Sequence, residues 1–478
     1  MRLMAMTILF ADLLLAGNAD GQSVPISPDH PWHGSAELNM KAYPESATDS
    51  RFALDQSKTY SLSELIDLAE AHNPATRFAW ERARSQVAAL GISRSELYPT
   101  LLAAALSQTE SVQAFFGDRF HGQTIQNFQL AFDLNYTIFD FGARSGRIDA
   151  ARARMLSANF AFNDTHRRVI DQVEQAYYRL LNSIGQEDSA QASLANAKSV
   201  QQAAEERLKN GLSTLPDVLE ARSTTAQAEY DLQSVLGAEE IARGDLAEAV
   251  GTSATAAIKV QPLDQLAIPE SVGETIEQAI TGAFGQRPDL MQQAAEIKNA
   301  NARLKEARAA YYPTMGVDVS PAVPSAYGIQ RPFDWSHTSD LIGSVSFGLK
   351  WTVFDGGARK GRVAQAQADI HAAEAQANVK RNQIADEVWA AYSNLNTAFR
   401  QRQAAIALLE AASQSYNAAL ESYKYGLRNL LDVTAAQRTL AQARSADVSA
   451  RTQVLTALAE LAFTTGDSIK AHQGSPRP

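Results

Sequence analysis

The chain repeats itself at the scale of a domain. Phe139-Asp140-Phe141-Gly142-Ala143-Arg144 returns as Phe354-Asp355-Gly356-Gly357-Ala358-Arg359, an offset of 215 residues (354 − 139). Tyr98-Pro99 matches Tyr312-Pro313 and Asn73-Pro74 matches Arg287-Pro288, both at an offset of 214. Further on, Gly211-Leu212 with Asp217-Val218 matches Gly426-Leu427 with Asp432-Val433, again at 215. A period this long means a duplicated unit, not a short solenoid repeat. The two copies span 61–251 and 274–466, joined by a connection at 252–273. In each, an alternating stretch precedes the motif and a long helical pattern follows it. Asp140 and Gly142, with Asp355 and Gly357, therefore read as corners where a strand becomes a helix: glycine supplies the turn, aspartate a cap.

The clearest strand is 128–139. Phe128, Leu130, Phe132, Leu134, Tyr136 and Ile138 point one way, and Gln129, Ala131, Asp133, Asn135 and Thr137 the other. In the second copy Val345, Phe347, Leu349, Trp351 and Val353 oppose Ser344, Ser346, Gly348, Lys350 and Thr352. This period of two predicts one apolar and one polar face. Tyr136 and Trp351 hold matched positions near one strand end, where a membrane-interface girdle would place aromatics. A soluble sheet with one face on a core would alternate in the same way. Each copy offers only one hairpin, however, so the chain has four strands and no second sheet to cover them. Four strands cannot close a barrel, so several chains must combine. In that reading Phe128, Phe132, Tyr136, Phe347 and Trp351 face lipid, while Asp133, Asn135 and Lys350 face a lumen.

Each corner is followed by a helix of unusual length. From Arg144 to Lys209 there is no proline over 66 residues, about 99 Å at ~1.5 Å per residue. In the second copy Ile384, Val388, Ala391, Leu395, Ala398, Arg402, Ala405, Leu409, Ala412, Tyr416, Ala419 and Tyr423 recur in steps of four and three. That is heptad spacing, and its alanines let neighbouring helices approach closely. Short turns then lead to returning helices that end at Gly251 and Gly466, C-cap positions. Ahead of each hairpin, short helices begin at Ser61, where Glu64 completes a capping box, and near Glu274.

Composition narrows the function. A net charge of −10 argues against a nucleic-acid partner. With no cysteine there is no disulfide, thiolate metal site or N-terminal lipid anchor. No phosphate loop, helical zinc pair or nucleophile elbow is present, so no enzyme, cofactor or metal is expected. His30 and His33 in the proline-rich leader lack further ligands. Residues 1–19 carry Arg2, an apolar run and Gly17-Asn18-Ala19, the pattern of a secretory signal. Residues 20–60 read as an extended leader and 467–478 as a disordered tail. No apolar run reaches the length of a spanning helix, so a membrane crossing requires a closed barrel.

From about Leu62 to Thr465 the pattern resembles the TolC-type outer-membrane efflux proteins. The resemblance rests on the duplication, on Phe-Asp-x-Gly-x-Arg after each strand pair, and on two tip motifs. These stand as Arg207-Leu208-Lys209-Asn210-Gly211-Leu212-Ser213-Thr214-Leu215-Pro216-Asp217-Val218 and Tyr423-Lys424-Tyr425-Gly426-Leu427-Arg428-Asn429-Leu430-Leu431-Asp432-Val433. It implies a mainly α fold with a transmembrane β-barrel portion: a homotrimer whose 12-stranded barrel continues into an α-helical tunnel. It further implies an outer-membrane exit duct for efflux or type I secretion, working with a periplasmic adaptor and an inner-membrane transporter. By motif, Asp217, Tyr423, Arg428 and Asp432 resemble the periplasmic gate, and Gly211, Leu212, Gly426 and Leu427 the adaptor-docking turns. Where the family often has a further aspartate, this chain has Ala435, so a double acidic ring is not expected. Asp217 and Asp432 would in any case serve as helix caps. The competing class is a non-channel coiled-coil scaffold of the envelope.

Overall fold

The computed structural model describes residues 54–55, 57–116, 118–269, 275–330 and 336–467. The signal-like segment, the leader up to residue 53 with His30 and His33, and the tail after Asp467 lie outside the described residues. The first repeat runs β1 (Thr59–Tyr60), α1 (Leu62–His72), α2 (Pro74–Ser95), β2 (Thr100–Phe116), β3 (Arg119–Phe139), α3 (Ala143–Lys209) and α4 (Leu215–Val250). A connection holding β4 (Lys259–Val260) and a 3-10 turn at Leu263–Gln265 leads to the second repeat. That repeat comprises α5 (Ile276–Gln286), α6 (Pro288–Ala309), β5 (Thr314–Gln330), β6 (Ser336–Ser339), β7 (Ile342–Lys350), α7 (Ala358–Lys424) and α8 (Leu430–Thr465).

The short helices start where their caps put them. Ser61 Oγ accepts from Glu64 N at 3.3 Å while Ser61 N donates to Glu64 Oε2 at 3.0 Å. Thr275 and Gln278 repeat this reciprocal pair in the second copy. The leader and the connection are less idle than their composition indicates: β1 and β4 pair in parallel, Thr59 with Lys259 and Tyr60 with Val260.

Helices α3 and α7 are 67 residues each, about 100 Å at ~1.5 Å per residue. Neither carries a strong apolar stripe; packing along narrow alanine-rich seams holds them. Of the heptad column in α7, Ile384, Val388, Ala391, Leu395, Ala398, Ala405, Ala412, Tyr416, Ala419 and Tyr423 are buried. Arg402 and Leu409 are half-buried. Beneath the sheet α2, α3, α6 and α7 stand side by side in that order; towards the tips the order is α4, α3, α8, α7. The tip end has its own core, in which Val200, Ala204, Val218 and Ala221 meet Tyr416, Tyr423, Val433 and Leu440. At mid-length α3 and α8 touch across Gly185: a Cβ there would stand 2.6 Å from Val448 Cγ1. Alanine at this position must displace Val448 or push the two helices apart, a strain of about 1–3 kcal/mol.

The larger sheet is antiparallel, in the order β2, β3, β5, then β6 and β7. β6 and β7 share one register on β5, with Ser325 opposite Ser339 and Ala322 opposite Ile342. They therefore act as one strand, and the sheet has the four strands the repeats call for. The break at Asp340–Leu341 falls opposite Val323 and Pro324, and proline brings no N–H to a ladder. The second-copy alternation was expected to run to Val353, but β7 ends at Lys350. Its partner Thr314 is the first residue of β5 and follows Pro313, so nothing remains to pair with Trp351. Among the described residues, β2 on one side and β6/β7 on the other are left with open edges.

Candidate functional site

The two corners are built alike. Asp140 Oδ2 accepts from Arg144 N at 2.7 Å and from its Nε at 3.2 Å, and Oδ1 accepts from Gly142 N at 3.3 Å. Asp355 repeats this with Gly357 N at 3.2 Å, Arg359 N at 2.9 Å and Arg359 Nε at 3.0 Å. The aspartate thus caps the long helix and grips the arginine. Each arginine then ties back to the chain that leads into the corner, Arg144 to Ile138 O of β3 at 3.2 Å and Arg359 to Val353 O, just past β7, at 3.0 Å. Partial burial would raise the Asp355 carboxyl, yet the Arg359 amide and guanidinium hold it below its ordinary range. Gly142 and Gly357 take φ of 98° and 91°, closed to most side chains. The preceding position is Gly356 at φ 65° in one copy but Phe141 at φ 52° in the other. Phe141 stacks on Tyr312 at 4.9 Å and meets Phe139 edge-on at 4.6 Å, contacts that offset its backbone strain.

The sheet separates its faces. Ser320 Oγ donates to Asp133 Oδ1 at 2.6 Å and Asn135 Nδ2 donates to Asp318, so one face carries a cross-strand polar stripe. Lys350 closes β7 on that same face, by alternation with Ser344 and Ser346. The other face is apolar and uncovered by this chain: Phe128, Phe132 and Phe347 are exposed, Phe347 at 79%. Phe128 lies edge-on to Tyr327 at 6.3 Å. Tyr136 sits beneath the Arg144 guanidinium, 6.0 Å from its centre. Trp351 lies just past β7 and donates its indole N–H to Tyr311 O at 3.1 Å.

At the far end both long helices stop at a left-handed glycine, Gly211 with φ 71° and Gly426 with φ 77°. Leu212 N donates to Arg207 O and Leu427 N to Ser422 O, both at 2.8 Å. These turns leave Leu212 and Leu427 exposed. The four residues read as a gate are not drawn into one network within a chain. Asp217 Oδ2 accepts from Thr214 N at 2.9 Å and from the Ser213 and Thr214 hydroxyls at 2.8 Å each. The Thr214 amide, then those hydroxyls, keep its carboxyl below the ordinary range. Asn429, not Asp432, caps α8 by accepting from Asp432 N at 2.9 Å. Arg428 and Asp432 stand exposed at the turn. Tyr423 is 3% exposed, covered by a residue the motif reading passed over. Arg207 lies 4.9 Å from its ring centre and donates to Tyr423 O at 2.8 Å and to Leu212 O at 3.1 Å. One guanidinium therefore ties the two tips together.

A second cluster was also missed. Arg287 and Arg167, both 2% exposed, lie where α6 begins and α8 ends. Arg287 pairs with Asp289 through two bonds, at 3.0 and 2.7 Å, and reaches Glu387 and Thr464 O. Arg167 binds Asp164 at 2.7 Å, donates to Phe463 O at 2.8 Å and stacks 4.0 Å over the Phe463 ring. Lys380 adds a contact to Asp289 at 3.3 Å. Burial alone would raise the Asp289 carboxyl, but its hydrogen bonds and charges from Arg287 hold it down at about 2. The only sequence signal was Arg287-Pro288 in its role as a repeat landmark.

No helix among the described residues is long and apolar enough to cross a membrane. The family profile described as "Outer membrane efflux protein" matches residues 65–252 and 279–467, one match on each repeat. Protein CyaE of Bordetella pertussis is 28% identical over 413 residues, covering 86% of this chain and 85% of that one. Outer membrane protein OprJ of Pseudomonas aeruginosa is 24% identical over 456 residues, covering 93% and 92%. In fold, the chain is similar to the crystal structure of a membrane protein from Pseudomonas aeruginosa, with a TM-score of 0.75 at 22% identity, covering 88% of this chain and 98% of that one. The matched profile takes in both hairpins, both corners and both tips, and nothing in the comparisons favours the scaffold alternative. The chain belongs to the outer membrane efflux protein family, the TolC-type channels of the bacterial outer membrane that extend into the periplasm.

Proposed function

We propose that this protein is the exit duct of a tripartite efflux or type I secretion system. The observation that carries the reading is the sheet: four strands with two open edges, an exposed apolar face and a polar face joined by hydrogen bonds. Open edges of this length are a liability unless paired. In a homotrimer the β2 edge of one protomer pairs with the β7 edge of the next, closing twelve strands. Phe128, Phe132, Tyr136, Phe347 and Trp351 then meet outer-membrane lipid, and Asp133, Asn135 and Lys350 line the lumen. The long hairpins continue the wall as a periplasmic tunnel. At its end Gly211-Leu212 and Gly426-Leu427 dock the periplasmic adaptor that bridges to the inner-membrane transporter. Asp217, Tyr423, Arg428 and Asp432 encircle the narrowed end as the gate.

Planar-bilayer recording tests the reading. Detergent-purified protein gives discrete conductance steps if it is a duct, and no steps at any protein concentration if it is not.

A further inference from the structure

A cavity of about 820 Å³ opens where the sheet meets the helical wall. Arg147 and Arg154 from α3, Arg303 from α6, Lys350 from β7, and Arg359 and Arg362 from α7 line it. Four carboxylates share the space: Asp140, Glu306, Asp355 and Asp369. Most are spoken for. Asp140 is held by Arg144 at 3.2 Å, and Asp355 by Arg359 at 3.0 Å and Arg362 at 3.7 Å. Glu306 lies 3.4 Å from Arg147, which also binds Glu96 at 2.6 Å. Among the described residues, Arg154, Arg303 and Lys350 have no carboxylate partner, and Asp369 is the one lining carboxylate without a cation. In a chain whose net charge is −10, unpaired positive charges here outnumber unpaired negative ones by three to one.

We infer that this cavity binds anionic groups, phosphate or carboxylate, carried by a solute-sized molecule. Guanidinium groups hold the planar edges of such anions through paired N–H donors, and an ammonium adds a point charge. An excess of positive charge gathered in one cleft raises the local concentration of anions. The volume far exceeds one phosphate, so the site accepts an anion with a body attached. Lys350 places the cavity against the polar face of the sheet. That the site serves as a station for anionic cargo rests on the duct reading; that it binds anions does not.

The test uses full-length protein in detergent, titrated calorimetrically with inorganic pyrophosphate. Saturable binding is expected, weakened at least tenfold in the triple variant Arg154→Gln/Arg303→Gln/Lys350→Gln. All three side chains are exposed, so the variant should melt with the wild type; Arg303→Glu alone serves as a second, milder probe. No binding by the wild type, or equal binding by the triple variant, would overturn the site. In bilayers pyrophosphate should reduce wild-type conductance and leave the triple variant unaffected. Charge-dependent binding without conductance in either protein would support the anion site and overturn the duct.

Discussion

Asn73 and Arg287 occupy the same place in the two repeats and reach the same kind of target. Asn73 Nδ2 donates to Ala249 O at 2.9 Å, and Arg287 Nη1 to Thr464 O at 3.2 Å. Each carbonyl lies two residues before the glycine that closes the returning helix, Gly251 or Gly466. A Cβ on Gly251 would meet Asn73 Cα at 3.0 Å, and one on Gly466 would meet Arg287 Cγ at 3.4 Å. The duplication has kept the junction and changed its chemistry, from a neutral amide to a buried ion cluster.

That difference sets the first expectation. Arg287→Met leaves Asp289 buried with only Lys380 and the more distant Arg167, and should destabilise the protein by about 3–5 kcal/mol. Asn73→Ala removes the bond to Ala249 O and the cap that Asn73 Oδ1 makes with Ala75 N at 2.8 Å, and should cost less, about 1–2 kcal/mol. The folded Asp289 carboxyl lies at about 2 against an ordinary 3.8. Its contribution is therefore complete above about pH 4 and is lost as pH falls through about 2. Thermal unfolding of both variants at neutral pH checks the order; equal losses would contradict it.

A second expectation runs the opposite way with pH. Glu174 Oε2 is buried and has no hydrogen-bond partner among the described residues. Burial, then the charge of Asp171, raises its carboxyl from an ordinary 4.5 to about 7. The folded protein thus holds a proton that the unfolded chain has released, so stability falls from about pH 4.5 to about 7 and then levels off. Glu174→Gln should remove this slope and stabilise the protein at pH 8 by at most about 3 kcal/mol. Melting curves at pH 5 and pH 8 read the difference. A variant no more stable than wild type at pH 8 would show that Glu174 finds a partner in the assembly.

The faces of the sheet give a third. In the proposed barrel Phe132 and Phe347 meet lipid, so arginine at either should cost roughly 2–4 kcal/mol near the bilayer midplane. Asp133→Asn keeps an acceptor for Ser320 on the polar face and should assemble normally. Yields of membrane-inserted protein separate the cases, and equal loss from both kinds of change would contradict the assignment of the faces.

The tips give a fourth. Arg207 holds the two turns together within a protomer, while Arg428 and Asp432 are exposed where a neighbouring protomer can meet them. Three Asp432 carboxylates around one axis repel unless offset, and Arg428 is placed to offset them across the proposed interface. Arg428→Ser should raise single-channel conductance without loss of assembly. Asp432→Asn should reduce cation selectivity, because Ala435 adds no second acidic ring to retain it. Unchanged conductance in the Arg428→Ser protein would remove the gate role.

Much of this architecture was written in side-chain contrast. Phe128 to Ile138 alternates because its two sides meet different surroundings, and the Ser61–Glu64 box marks a helix start through contacts three residues apart. The alanine-rich β2 forms because β3 offers a partner along its whole length. What stayed hidden depends on partners far away in the chain. The reach of Arg207 to Tyr423 ends on a backbone carbonyl, which no residue pattern encodes. The pairing of β1 with β4 is two residues long, too short for any periodicity. Pro321 and Pro324 argue against a central strand, yet β5 is central and registers the cost as a gap between β6 and β7.

Trimer closure is the claim on which the rest depends. Single-particle reconstruction of the full-length protein in detergent tests it directly. Threefold symmetry is expected, with twelve continuous strands and the β2 edge of each protomer paired with the β7 edge of its neighbour. A stable monomer, or an assembly in which those two edges remain unpaired, would contradict it.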